Sequence, residues 1–259
     1  MTDKLAVVTG ASSGLGYQFA RLAAQDGYDL VLVADEDEVH VAADKLRRLG
    51  ANVEAIVADL STRSGVAEFW TFIEDRRIDF FAANAGRALG EAFHDQNWSD
   101  VKRLIDLNIL QTTSLLYKVG QKMHADGEGR ILVTGSIGGF VPGPFDAVYD
   151  ATKAYLNSLC YALQDEWKDS DVTLTCLMPG PTETPIFHRS ENELEEAPIS
   201  EADKQDPVKV AEQGYAAAMR GDMRAIPGFF SKVITMFSGV VPDSVLAKMH
   251  RQGAEPSKE

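Results

Sequence analysis

The chain has 259 residues, 25 basic and 39 acidic, for a formal charge of −14, and is 45% hydrophobic and 25% charged. Such a composition excludes collagenous, coiled-coil and disordered classes, and the acidity argues against nucleic acid as a partner. Apolar runs fall short of the ~18 residues of a membrane span, the opening residues lack a leader pattern, and Cys160 and Cys176 are too few for a disulfide framework. A reduced, cytoplasmic protein is the expectation.

In chain order, the short apolar run Leu5-Ala6-Val7-Val8 ends in Thr9-Gly10 and is followed by helical spacing from Leu15 to Ala24. A second strand, Leu30 to Ala34, precedes a periodic segment from Val39 to Leu49. A third, Val53 to Val57, precedes a helix over 64–74, and a fourth runs from Ile78 to Ala83, ending at Asn84. Arg130 to Thr134 and Val172 to Leu177 complete the set. Strands alternating with helices predict βαβ units and an α/β fold: a doubly wound, Rossmann-type parallel sheet in one domain over 1–259. The polar, Pro-punctuated stretch 182–207 follows a strand, where such folds place ligand loops, and between Glu191 and Asp206 it holds seven acids and one Lys. It is a candidate substrate loop or lid. The apolar region from Ile226, about 226–250, with Phe229, Phe230, Ile234 and Phe237, is expected to be an interface or lid segment and not a membrane anchor.

The segment Thr9-Gly10-Ala11-Ser12-Ser13-Gly14-Leu15-Gly16 lies where the first strand turns into the first helix. Its glycines permit a tight turn and close approach of backbone N–H groups to a pyrophosphate, and the helix N-terminus adds partial positive charge. Nineteen residues past Gly16 stands Asp35, beside Glu36. A carboxylate there can accept both adenosine ribose hydroxyls and repels the additional phosphate of NADP. No Lys or Arg occupies position 13, 35 or 36 to receive that phosphate, so NAD is favoured and NADP disfavoured.

Tyr149 and Lys153 sit four apart, on one face of a helix, and Ser136 ends a strand 13 residues earlier. Together, these landmarks resemble the short-chain dehydrogenase/reductase family in its single-domain form, from Thr9 to Thr184. Thr9, Gly10, Gly14 and Gly16 match its glycine segment, and Asp59 matches an acid near the adenine. Asn84-Ala85-Gly86 matches its Asn-Asn-Ala-Gly segment with Ala83 in place of the first Asn. Asn108, Ser136, Tyr149 and Lys153 match its catalytic tetrad, and Pro179-Gly180 with Thr184 matches a segment touching the nicotinamide carboxamide.

The resemblance implies a dinucleotide held by Gly10, Ser12, Ser13, Gly14, Leu15 and Gly16, by Asp35 and Glu36, by Asp59 and Leu60, and by Asn84, Ala85 and Gly86. It adds Tyr149, Lys153, Pro179, Gly180, Thr182 and Thr184. It also implies hydride transfer between a secondary alcohol and a ketone. Tyr149 would move the hydroxyl proton, Lys153 would lower its pKa, Ser136 would hold the substrate oxygen, and Asn108 would anchor a water leading from Lys153 to solvent. A homodimer or homotetramer is implied, built partly on the helices of Asn108 and Tyr149. Phe140, Val141, Phe145, Ile186 and Phe187 read equally as apolar substrate pocket or as core. His188 and Arg189 read as substrate contacts or equally as surface residues. The five histidines lack ligand spacing, and none is assigned to a metal. An acyl-carrier 3-ketoacyl reductase and a non-catalytic dinucleotide sensor are the alternatives; Asp35 and the acidity oppose the first, and the presence of Tyr149 and Lys153 opposes the second.

Overall fold

The structure is a computed structural model that describes residues 4–184, 204–238 and 240–254. Seven strands form one parallel sheet: β1 Leu5–Thr9, β2 Asp29–Ala34, β3 Val53–Val57, β4 Phe80–Ala83, β5 Glu128–Thr134, β6 Asp171–Leu177 and β7 Arg224–Ala225. Their spatial order is β3-β2-β1-β4-β5-β6-β7. The chain winds outward one way from β1 and the other way from β4, so the order reverses between those two strands. In open α/β sheets such a reversal marks the crevice, at the carboxyl ends of the two strands, where ligands bind.

Alternation along each strand divides the core. Val7, Val31, Val33, Phe81, Ile131 and Val133 face one side of the sheet. There they meet Val66, Phe69 and Ile73 of α3 (Arg63–Ile73), Leu116 and Val119 of α5 (Thr112–Asp126) and Cys160 of α6 (Ala147–Glu166). Ala6, Val8, Leu30, Leu32, Phe80, Ala82 and Leu132 face the other side. They pack on Phe19 and Ala23 of α1 (Gly14–Gln25), Val39 and Leu46 of α2 (Glu38–Arg47) and Tyr215 of α7 (Pro207–Arg220). Burial on both faces is why these strands read as unbroken apolar runs.

The expected strands and the helices between them are present with shifts of one or two residues. Ile78 and Asp79 lie just outside β4, although the Asp79 N–H donates to the Leu5 carbonyl at 3.0 Å. The strand β7 was not anticipated, being two residues long and too short for any periodicity. In the 226–250 region the structure has two helices, α8 Phe229–Phe237 and α9 Asp243–Ala254; the side chains of Phe229, Phe230, Ile234 and Phe237 lie outside the described residues. No helix among the described residues is long and apolar enough to cross a membrane.

Candidate active site

The β1–α1 turn is closed so tightly that positions 10 and 16 admit no side chain. Gly10 has φ +64, and a Cβ on Gly16 would fall 2.0 Å from the Gly10 carbonyl oxygen. Ser13, the N-cap of α1, makes no side-chain capping bond to that helix, and N–H groups at the start of a helix suit an anionic ligand. Asn84 braces the turn from β4: its Nδ2 donates to the Thr9 and Gly10 carbonyls, each at 3.3 Å, and its Oδ1 accepts from Thr134 Oγ1 at 3.0 Å. The N–H groups of Asn84 and Ala85 donate to Thr9 Oγ1 at 2.9 and 3.0 Å. In this chain the Asn84 side chain therefore ties β1, β4 and β5 together at the mouth of the crevice.

Past the carboxyl end of β2, Ser12 Oγ donates to Glu36 Oε1 at 2.7 Å. Asp59 Oδ1 accepts from the Ser61 N–H at 2.9 Å and from Ser61 Oγ at 2.6 Å, and Leu60 beside it is buried. One cation that sequence reading had not brought here is Arg103 of α4 (Trp98–Ile105). Its Nη2 lies 3.3 Å from Asp35 Oδ2 and 3.2 Å from Asp59 Oδ2. Burial alone would raise the Asp59 pKa; the two Ser61 hydrogen bonds and the charges of Arg103 and Arg87 outweigh it and hold the carboxyl below its ordinary value. The absence of a cation at positions 13, 35 and 36 thus does not describe the whole pocket, because a residue 68 positions away in sequence supplies one.

The four tetrad residues converge on the other side of the crevice. Ser136 caps a short 3₁₀ turn, Ile137–Phe140, accepting from the Gly138 N–H at 3.0 Å, and its hydroxyl is hydrogen-bonded to Tyr149. Lys153 is buried; its Nζ donates to the Thr134 carbonyl at 2.8 Å and stands 5.6 Å from the centroid of the Tyr149 ring. Gly86 opens the space between them: a Cβ there would lie 3.3 Å from Asn108 Oδ1 and 3.8 Å from Lys153 Nζ. Asn108 stands in a π-helical turn, Asp106–Gln111, that joins α4 to α5, a widening often found at functional positions. Its Oδ1 accepts from the Arg87 N–H at 3.0 Å, and its Nδ2 donates to the Arg87 carbonyl at 2.9 Å and to Thr152 Oγ1 at 3.0 Å.

Electrostatics here run against ionisation. Burial raises the Tyr149 phenol above its ordinary value, and Asp150 and Asp146 add to that, while the Ser136 hydrogen bond opposes them. Burial lowers the Lys153 ammonium to about 8. Two supports escaped sequence reading. Asn157 Nδ2 donates to the Ser136 carbonyl at 2.9 Å, fixing that turn on α6. Gln205, paired with Thr182 across an isolated bridge, donates to the Pro227 carbonyl at 3.2 Å and to Ser231 Oγ at 3.1 Å. Both are amides that carry no motif, visible only once the turn they brace is folded.

After β6, the Pro179 carbonyl accepts from the Ile137 N–H at 3.1 Å, linking this segment to the Ser136 turn. Thr182 Oγ1 donates to the Gly180 carbonyl at 2.8 Å, and Thr184 Oγ1 to the Thr182 carbonyl at 3.5 Å. Ile186, Phe187, His188, Arg189 and the acidic residues 191–203 lie outside the described residues. Phe140, Val141 and Phe145 are half-buried, with Phe140 packed on the core.

A reversing parallel sheet with a glycine turn after its first strand defines a Rossmann-type fold, here with a half-buried Tyr149 beside a buried Lys153. Residues 4–195 match the short chain dehydrogenase family, and the chain belongs to that family of oxidoreductases. It is 31% identical over 216 residues to oxidoreductase UcpA of Escherichia coli K12, covering 81% of this chain and 82% of that protein. A short-chain dehydrogenase from Sphingobium yanoikuyae, solved in complex with NADPH, is 28% identical with TM-score 0.80, covering 93% of this chain and 97% of that one. A bulky-bulky ketone specific alcohol dehydrogenase from Comamonas testosteroni is 27% identical with TM-score 0.76, covering 93% and 96%.

Proposed function

We propose that the protein is an NAD(H)-dependent oxidoreductase that interconverts a secondary alcohol and a ketone of small to medium, mostly apolar character. The observation that carries this reading is the convergence of Ser136, Tyr149 and Lys153 at the crevice that the glycine turn opens. The turn's N–H groups would hold the pyrophosphate, and Asp35 and Glu36 the adenosine ribose. Bound there, the nicotinamide supplies the hydride acceptor or donor.

Tyr149 moves the proton of the substrate hydroxyl. Its burial keeps the phenol protonated by itself, so reaching phenolate at neutral pH demands about 4 kcal/mol or more of added preference. The ammonium of Lys153 supplies part of this and the positive charge of the oxidised nicotinamide adds to it. Ser136 holds the substrate oxygen against the phenol, already oriented by the Gly138 N–H on its own hydroxyl. The side-chain amide of Asn108 is committed to Arg87 and Thr152, so its part is to fix the π turn beside Lys153. A water on the way to solvent would then use its remaining lone pair or a carbonyl of that turn.

Arg103 favours a second reading, in which NADP(H) is accepted as well. Its guanidinium reaches Asp35, and the Sphingobium relative was solved with NADPH. Titrations with NADH and NADPH decide between the two, tighter NADH binding being expected. For the enzymatic reading the test is Tyr149→Phe in a panel of alcohols and ketones followed by nicotinamide absorbance. Turnover should fall by at least about 10³-fold with dinucleotide affinity nearly unchanged; persistent turnover removes Tyr149 from its role.

A further inference from the structure

Asp150 follows Tyr149 on α6 and is only 5% exposed. Its carboxylate lies in a slot left by missing side chains: a Cβ on Gly138 would fall 2.1 Å from Oδ1, and one on Gly143 1.8 Å from Oδ2. That slot is the backbone after Ser136, so the carboxylate is wedged between the segments bearing Ser136 and Tyr149. Among the described residues Oδ2 has no hydrogen bond of good geometry. The group facing it is His250 of α9, whose Nε2 stands 3.4 Å away.

The next residue of α9 reinforces the contact. The Arg251 guanidinium lies 5.1 Å from the centroid of the Phe145 ring, and Phe145 is held at φ 72, a conformation that a bulky residue keeps only with support from its surroundings. Two successive residues of the C-terminal helix therefore grip Asp150, just after Tyr149 on α6, and Phe145, in the segment between Ser136 and Tyr149. We propose that Asp150 and His250 form a clasp that shares one proton, docks α9 on this segment and makes both of them positioning residues for the reaction at Tyr149. The effect on rate rests on the enzymatic reading above; the docking does not.

The protonation states agree with this geometry. Burial, with Asp146 adding to it, raises the Asp150 carboxyl to about 8, and burial raises Asp146 one turn earlier to about 6. Burial lowers His250, against the Pro144 carbonyl, which favours the charged ring. At neutral pH the pair then holds one proton and no net charge. Ionised Asp150 would push the Tyr149 phenol further from phenolate.

The test measures hydrogen exchange in α9 across neutral and alkaline pH, together with turnover, on the full chain and its His250→Ala, His250→Gln and Asp150→Asn variants. His250→Ala should speed α9 exchange about tenfold and lower kcat about tenfold at unchanged dinucleotide Kd, and His250→Gln, which still offers a hydrogen bond to Oδ2, should recover both to within about threefold. In the unaltered protein, α9 exchange corrected for its intrinsic pH dependence should quicken as pH passes about 8, and Asp150→Asn should abolish that step. Equal exchange in the unaltered, His250→Ala and His250→Gln proteins overturns the clasp, as does a step that persists in Asp150→Asn. A loosened α9 with undiminished kcat overturns the positioning role. A protein that turns over no alcohol or ketone yet exchanges as expected defeats the enzymatic reading and leaves the docking standing.

Discussion

Replacing Lys153 by Met should lower turnover and raise stability together, because one buried ammonium serves the reaction and burdens the fold. Its Nζ lies 5.6 Å from the Tyr149 ring centroid. At an effective dielectric of about 20, a charge at that distance favours the phenolate by about 3 kcal/mol, or about 2 pKa units. The variant should therefore lose about 100-fold in alcohol oxidation at neutral pH, and the acid limb of its kcat/KM profile should move up by about 2 units. The stability sign is opposite. The folded-state pKa of Lys153 is depressed to about 8, so below that pH the folded chain must carry a charge that the unfolded chain carries in water. Stability is reduced there, and it recovers as pH rises from about 8 to the unfolded value near 10.4. The full penalty is about 3 kcal/mol; losing the bond to the Thr134 carbonyl returns about 1 kcal/mol of it. Net, Lys153→Met should be about 2 kcal/mol more stable at pH 7, a Tm rise of roughly 4–8 °C that shrinks above pH 8 and turns into a deficit of about 1 kcal/mol above about pH 10.5, where only the lost hydrogen bond remains. Thermal melts and pH-rate profiles of the two proteins measure both halves. A lower Tm at pH 7, or an acid limb that stays in place, refutes the electrostatic account.

Gly16→Ala drives a Cβ to 2.0 Å from the Gly10 oxygen, so the turn must open. Stability should fall by about 1–3 kcal/mol and NADH binding, followed by fluorescence, should weaken at least about tenfold; unchanged affinity would remove the turn from the binding site. Arg103→Ala breaks two ion pairs whose partners are more than a third exposed, so Tm should hardly move. NADPH affinity should fall about tenfold while NADH affinity changes less than about threefold; equal losses would mean that Arg103 senses no phosphate.

The sheet was readable because its strands are buried on both faces. Leu5 to Val8 and Leu30 to Ala34 carry unbroken apolar side chains between glycine- or polar-rich turns, and only a central parallel strand makes that pattern common. Gly10, Gly14 and Gly16 were readable for a related reason, since a turn that excludes a Cβ leaves glycine as its mark in the sequence. The two-residue β7 leaves no such mark, and α9 is a polar helix at a protein surface, whose role depends on what His250 meets. The π turn at Asn108 was equally invisible. Thr112 Oγ1 donates to the Leu107 carbonyl at 2.9 Å, the five-residue spacing of a widened turn, yet Thr at that position carries no signal alone.

The cluster of Asp35, Asp59 and Arg103 shows where adjacency in sequence stops being a guide to charge. Reading positions 13, 35 and 36 gives two carboxylates and no cation, hence repulsion of a ribose phosphate. Folding sets the α4 side chain of Arg103 between Asp35 and Asp59, within 3.3 Å of one and 3.2 Å of the other. A charge at salt-bridge distance near a surface is worth as much as one from a neighbouring residue, so the pocket's field is the sum over both elements. If the proposed reading holds, an adenosine ribose would compete with Arg103 for Asp35, and a 2′-phosphate would gain from Arg103 what it loses to Asp35. On the proposed reading, the preference between dinucleotides is the difference between those two contacts, one made by the α4 side chain and the other by the carboxylate at the end of β2.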